Sequence, residues 1–357
     1  MEAEAYMNVE ALISEIGLKI ISALLIIIFG IVLGLVYKGF DRKISAMMQS
    51  RIGPPIIQPF RDVRKLLSKE TIIPDDSIQL LFNLAPVFAL LAPLLALLYI
   101  PIGPFDPLLE GYGDIILVLY LMALPPLALA VGGSSSGSPY SVLGAQRKVV
   151  LMMSYELPLA ISVIAVVWRI SKTVGDNLNP FSLRVISSYP IWEQVGLLGS
   201  IGIALATIAI IAVIPGELSK EPFGQAEAKT EIAGGALSEY SGRNLAFYYI
   251  ASSVHMVVIG SLIISILFPY QLTEILYPLI EIDGLQLPYL EMSLLAILVD
   301  IVFFLFKLMI IIYVGVSILG VSFARLQINK ASYVYWIPLS IMAFIGLILV
   351  FLEYSLF

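Results

Sequence analysis

The sequence predicts an all-α polytopic membrane protein of about eight transmembrane helices, with amphipathic and short helices in its cytoplasmic loops. Two observations lead there. Hydrophobic residues make up 59% of the 357 and charged residues only 13%, where soluble domains carry about a quarter charged residues. Apolar runs of the ~20 residues that a helix needs to cross the hydrocarbon recur at 17–37, 79–101, 114–132, 149–168, 195–215, 244–268, 293–320 and 333–357. No internal repeat is evident, so the inverted-repeat pattern of many transporters is missing. A single helical membrane domain is expected over 17–357, after a short acidic segment at 1–16. That acidic start lacks the positive region of a secretory signal, so the first run reads as a permanent span.

Composition also excludes several chemistries. The chain has no cysteine, hence no disulfide, no thiol catalysis and no cysteine-ligated iron–sulfur cluster of its own. One histidine rules out a histidine-rich metal site. Loop Lys and Arg number 15 on one side and three (Arg169, Lys172 and Arg184) on the other. Such a bias puts the loops at 38–76, 133–148 and 216–243 in the cytoplasm and both termini outside, with the plasma membrane as the expected location.

Each of these three loops has its own pattern. In "RIGPPIIQPFRDVRKLLSKETIIP" the prolines 54, 55 and 59 forbid helix through the turn. Beyond them Phe60, Val63, Leu66 and Leu67 fall on one face, and Arg61, Arg64, Lys65 and Lys69 on the other. From pattern alone this is either a helix lying on anionic lipid or a docking surface for a partner protein. "GGSSSGSPYSVLGAQRK" has the small residues of a tight loop or a close helix contact. "GELSKEPFGQAEAKTEIAGGALSEYSG" holds five glutamates, among them Glu217, Glu227, Glu231 and Glu239. Glu227 and Glu231 are four apart, so a short helix ending at Gly234 and Gly235 is expected to align them on one face.

Ionisable residues within the spans are costly, about 2.5–3.5 kcal/mol each on insertion scales. Glu156 lies some 12 Å into the fourth span, next to Pro158, which frees backbone groups near it. His255 is central in the sixth span. Asp300 and Lys307 are seven apart in the seventh, on nearly one face. They read either as a buried proton relay beside the glutamate-rich loop or as structural ion pairs and carbonyl-bonded residues.

At this point the residues resemble a known family. It is the membrane subunit shared by respiratory complex I, where it is subunit 1, and the energy-converting membrane-bound nickel–iron hydrogenases. Three segments carry the resemblance, in order: "RIGPPIIQPFRDVRKLLSKE", "SPYSVLGAQRKVVLMMSYELP" and "EPFGQAEAKTEIAGGALSEYSG". The resemblance implies an eight-span subunit at the joint between a soluble redox arm and a membrane arm. It puts Glu217, Glu227, Glu231 and Glu239 in the joint and Glu156 deeper; His255, Asp300 and Lys307 stay candidates for ion translocation from their place within the spans alone. Arg51, Pro55, Gln58, Pro59, Asp62, Lys65, Lys69 and Glu70 would belong to the docking loop.

The implied partners are hydrogenase-like large and small subunits carrying iron–sulfur clusters (and a nickel–iron centre in the hydrogenase case), antiporter-like membrane subunits, and lipid. No cofactor is expected in this chain and no nucleic-acid partner is implied. Three departures from the quinone-type pattern matter: the first points to the hydrogenase-like, ferredoxin-linked branch, the second argues against quinone binding, and the third against a proton site at its position. The first loop lacks the second Gly-Pro insert of quinone-type members. Gly224, Ala226 and Lys229 stand where those members carry Asp, Pro and Glu, and Gln327 and Asn329 replace an Arg and an Asp. The expected function is a non-catalytic anchor and coupling subunit of a membrane-bound hydrogenase or related sulfur reductase. A quinone-binding subunit and a stand-alone secondary ion transporter are the alternatives.

Overall fold

A computed structural model describes residues 2–175, 178–275 and 289–356. Among these residues, eight helices are long and apolar enough to cross a membrane. In chain order the helices are α1 (Glu2–Met48), α2 (Gln58–Leu67), α3 (Gln79–Tyr99), α4 (Asp114–Ser134), α5 (Pro139–Val174), α6 (Leu183–Ser188), α7 (Leu197–Glu217), α8 (Lys229–Ile232), α9 (Gly242–Leu267), α10 (Tyr289–Ile312), α11 (Ile328–Val334) and α12 (Ser340–Leu356). A π-turn at Tyr313–Ile318 extends α10, and another at Tyr335–Leu339 joins α11 to α12. Among the described residues the only β pairing is an isolated bridge between Ile102 and Phe105.

The helix α9 is the axis of the bundle. All residues from Ser253 to Leu267 are buried, so it is enclosed by protein on every side, as an all-round apolar helix should be. It packs on α1, α3 and α10, while α5 and α7 pack on each other and on α12. Small residues set the closest crossings. A Cβ on Gly34 of α1 would lie 2.5 Å from the Ser253 carbonyl oxygen, and one on Gly202 of α7 would lie 2.7 Å from that of Gly346 on α12.

Two sequence expectations change. The apolar run at 149–168 belongs to a 36-residue helix that begins at Pro139, so most of the small-residue loop is the first part of α5. Ser141, Gly144 and Ala145 are buried on one face, and a Cβ on Gly144 would collide with the backbone of Ala236. The small side chains thus let α5 extend against the third loop. In that loop Gln225–Glu227 is a 3₁₀ turn, Ala228 is extended, and the helix starts only at Lys229. Glu227 and Glu231 therefore do not share a helix face. The helix does stop as expected, at Ala233 and Gly234, both left-handed.

At the end remote from the motif loops, Glu353 of α12 locks the start of α7. Its carboxylate is buried and accepts from the backbone N–H of Gly196 at 2.6 Å and of Gly199. Arg169 stands 3.9 Å away. An anion suits the unpaired amides and positive dipole of a helix N-terminus. Glu353→Ala is expected to lower stability by about 1–3 kcal/mol, the cost of stranding buried donors. Thermal denaturation of the solubilised protein would measure it, with Glu353→Gln retaining part of the loss.

Candidate functional site

The three motif loops close over one end of the bundle, where α1, α5, α7 and α9 bring their ionisable residues together. Glu217 is the last residue of α7 and is buried, as is His255 of α9. Glu217 Oε1 lies 3.0 Å from His255 Nε2. Either an imidazole N–H donates to a carboxylate or a carboxylic acid donates to an imidazole nitrogen. His255 Nδ1 has no hydrogen-bond partner among the described residues.

Two lysines complete this centre. Lys148 of α5 is buried, and its Nζ donates to the carbonyl oxygen of Glu217 at 3.2 Å and to Ser219 Oγ at 2.6 Å. Lys38 of α1 is also buried; it donates to the Tyr249 carbonyl oxygen at 3.1 Å and to Ser252 Oγ at 2.6 Å. Tyr335, in the second π-turn, donates to the Ala212 carbonyl oxygen of α7 at 3.2 Å and packs with Tyr155 against Gly216.

Glu217 lies on the walls of two cavities. One, of about 820 Å³, opens under the motif loops and also touches Lys38, Lys148, Glu227, Tyr249 and His255. The other, of about 610 Å³, lies between α4 and α5 within the membrane; its walls are apolar apart from a few groups that include Glu156. Glu156 is half-buried there.

Ion pairs strap the loops around this centre. Arg42 donates to Asp62 at 2.7 Å, and Gln58 donates to the same carboxylate at 3.0 Å. Lys220 meets Asp41 at 3.0 Å, and Ser317, in the first π-turn, donates to Asp41 at 2.9 Å. Arg147 pairs with Glu231 at 2.6 Å, and Arg325 with Glu221 at 3.0 Å. The Ile72 amide donates to Ser241 Oγ at 2.9 Å, tying the first loop to the third. Burial raises the Asp62 carboxyl, but Arg42, Gln58 and Tyr249 outweigh it and hold the group below its ordinary value. Burial pushes the Tyr240 hydroxyl up to about 12.

The remaining candidates divide clearly. Pro59 is buried and Gln58 half-buried, whereas Arg51, Pro55, Lys65, Lys69 and Glu70 are exposed on the motif face. Glu239 is half-buried. Asp300 and Lys307 lie elsewhere. Thr273 donates to Asp300 from its amide at 3.0 Å and its hydroxyl at 2.5 Å. Lys307 donates to the carbonyls of Phe268 and Tyr270 at 2.9 and 2.7 Å. Phe268 is 13 positions beyond His255, roughly 20 Å along the helix. These two residues form a second polar group near the far end of α9, around a cavity of about 480 Å³.

Sequence reasoning overlooked Lys38, Lys148 and Asp41 by assigning the lysines to loops. A signal for Lys148 existed. Ser141, Gly144, Ala145 and Lys148 follow the i, i+3, i+4, i+7 spacing of one helix face.

The match to known proteins now has its geometry. The family model for NADH dehydrogenase matches residues 20–351. The chain belongs to the NADH dehydrogenase family. Among solved structures it is similar to a chain of the membrane-bound sulfane sulfur reductase, an archaeal respiratory membrane complex. The two are 29% identical with a TM-score of 0.77, over 93% of this chain and 99% of the other. This family membership agrees with the resemblance read from the three motif segments.

The Asp62 pair yields a test with a defined sign. A carboxyl held below its ordinary value stabilises the fold at neutral pH, and that contribution is lost as pH falls through its folded value. Asp62→Asn is expected to raise amide exchange in α2 by up to about fivefold at neutral pH, since a half-exposed pair contributes about 1 kcal/mol or less. The difference from wild type should vanish once acid protonates Asp62, as hydrogen-exchange mass spectrometry would show.

Proposed function

We propose that this chain is the membrane anchor and coupling subunit of a ferredoxin-linked respiratory complex, of the sulfane sulfur reductase or membrane-bound hydrogenase type, in the plasma membrane. Redox chemistry takes place on iron–sulfur clusters of soluble partner subunits docked on the motif face, which lies in the cytoplasm. Ion movement passes to antiporter-like membrane partners. The observation that carries this reading is the position of Glu217, shared between the cavity under the motif loops and the intramembrane cavity that holds Glu156. A redox event above the loops shifts charge or loop position. The Glu217–His255 contact responds by changing its proton, and Glu156 receives the change within the membrane. Family membership and the likeness to the sulfane sulfur reductase support the respiratory setting.

A stand-alone ion transporter is the second reading. The polar cavity beside Asp300 and Lys307, remote from the motif face, favours it. One experiment separates the two. The complex purified through this subunit is expected to contain iron and soluble partners. In that complex Glu156→Gln should leave electron transfer intact and lower ion pumping per electron by about a hundredfold, the scale of a lost proton-transfer group. A metal-free single subunit that transports ions would support the transporter, and full coupling in Glu156→Gln would end the role assigned to Glu156.

A further inference from the structure

The first turns of α5 touch two parts of the motif end. Toward the third loop, Ser141 Oγ donates to the carbonyl oxygens of Gly235 and Ala236, each at 3.3 Å. Arg147 pairs with Glu231 and donates to the Gln225 carbonyl oxygen at 3.4 Å. Gly144 lies so close to the loop that a Cβ there would stand 2.3 Å from the Ala236 amide nitrogen. Lys148, the residue after Arg147, is buried and reaches the C-terminus of α7 instead.

The end of a helix leaves its last carbonyl groups without intrahelical donors. In α7 these groups are met in an unusual way. Ser219, two residues beyond Glu217, takes the left-handed conformation (φ 51°) for which glycine is the usual choice. Its backbone N–H donates to the Gly216 carbonyl oxygen at 3.2 Å, and that of Lys220 donates to the Pro215 carbonyl oxygen at 2.7 Å. The Glu217 carbonyl oxygen accepts from Lys148 Nζ at 3.2 Å. The same nitrogen donates to Ser219 Oγ at 2.6 Å. One side chain from α5 thus holds both the last residue of α7 and the left-handed residue beyond it. Neutral or charged, an amino group has N–H bonds to donate, so this clamp needs no counter-ion. The residue it holds is the one whose carboxyl group meets His255 at 3.0 Å.

We propose that Lys148 is a positioning residue. It fixes the backbone of Glu217, and with it the distance at which the carboxyl group meets His255. Through the first turns of α5 it also makes that distance follow the third loop, so a partner that displaces the loop displaces Glu217. This deepens the coupling reading and rests on it for the use made of the movement. The clamp itself is tested without any redox step, so the Glu156 experiment and the one below can fail separately.

His255 is the one histidine of the chain, which gives the contact a signal of its own. The test uses the full-length chain, labelled with ¹⁵N-histidine, purified through a histidine-free tag and placed in lipid nanodiscs. Solid-state NMR then reads a single imidazole, whose Nε2 shift reports the hydrogen bond to Glu217. Glu217→Ala removes that partner and marks the position of the free nitrogen. Lys148→Met is expected to move the Nε2 signal toward the Glu217→Ala position. Lys148→Arg, which keeps a donor for the carbonyl, should hold it near the wild-type position. Lys172→Gln, exposed near the other end of α5, should leave it unmoved. Glu231→Ala releases the third loop from Arg147 and should move the signal in the same direction by a smaller amount. An Nε2 signal unmoved in Lys148→Met, or unmoved in Glu231→Ala, would overturn the proposal. Where Lys148→Met does not fold, Glu231→Ala decides. If both shifts appear while Glu156→Gln stays fully coupled, the clamp stands and the coupling reading falls.

Discussion

The contact between Glu217 and His255 organises the motif end of the molecule. It joins the C-terminus of α7 to the middle of α9, the helix enclosed on all sides. Removing two ionisable groups from water costs several kcal/mol each unless they find each other with good geometry. The surroundings follow from that constraint. A side chain at Gly216 would collide with Tyr335 and crowd Tyr155. Ser219 takes a left-handed conformation and meets the ammonium of Lys148. The two π-turns contribute Ser317 and Tyr335 to the same region, consistent with the frequency of such turns at functional sites.

The carboxylates of the third loop serve two purposes. Glu221 and Glu231 pair with Arg325 and Arg147, which lie at the motif end of the bundle. They hold the loop down, as Asp62 holds the first loop through Arg42. Glu217 and Glu227 instead face the cavity. The rim is thus tied by ion pairs while two carboxylates stay on the cavity wall, an arrangement that suits the coupling role proposed above. Asp300 and Lys307 stand outside it, satisfied by Thr273 and by the carbonyls at the end of α9.

The spans were legible in the sequence because hydrocarbon imposes length and apolarity on a helix, and all eight runs correspond to helices. The three loop motifs were legible through their glycines, prolines and charges. What escaped was a matter of tertiary context. The extension of α5 beyond the membrane depends on the third loop covering its small-residue face, and no local pattern reveals that partner. Lys38 and Lys148 resembled ordinary positive-inside lysines, because burial is a property of the assembled bundle. The 3₁₀ turn at Glu227 broke the expected Glu227–Glu231 face because the backbone of Ala226 is drawn tightly against Gly235. Glu353 capping α7 joins residues 154 positions apart, a pairing that spacing rules do not reach.

The central claim is that Glu217 changes protonation when the redox arm changes state. Redox-induced infrared difference spectroscopy on the intact complex, in wild type and Glu217→Gln, tests it most directly. The account predicts a carboxyl band that appears or disappears on reduction, shifts in D₂O and is missing in Glu217→Gln. A spectrum in which reduction perturbs no carboxyl group, or perturbs one that survives unchanged in Glu217→Gln, would contradict it.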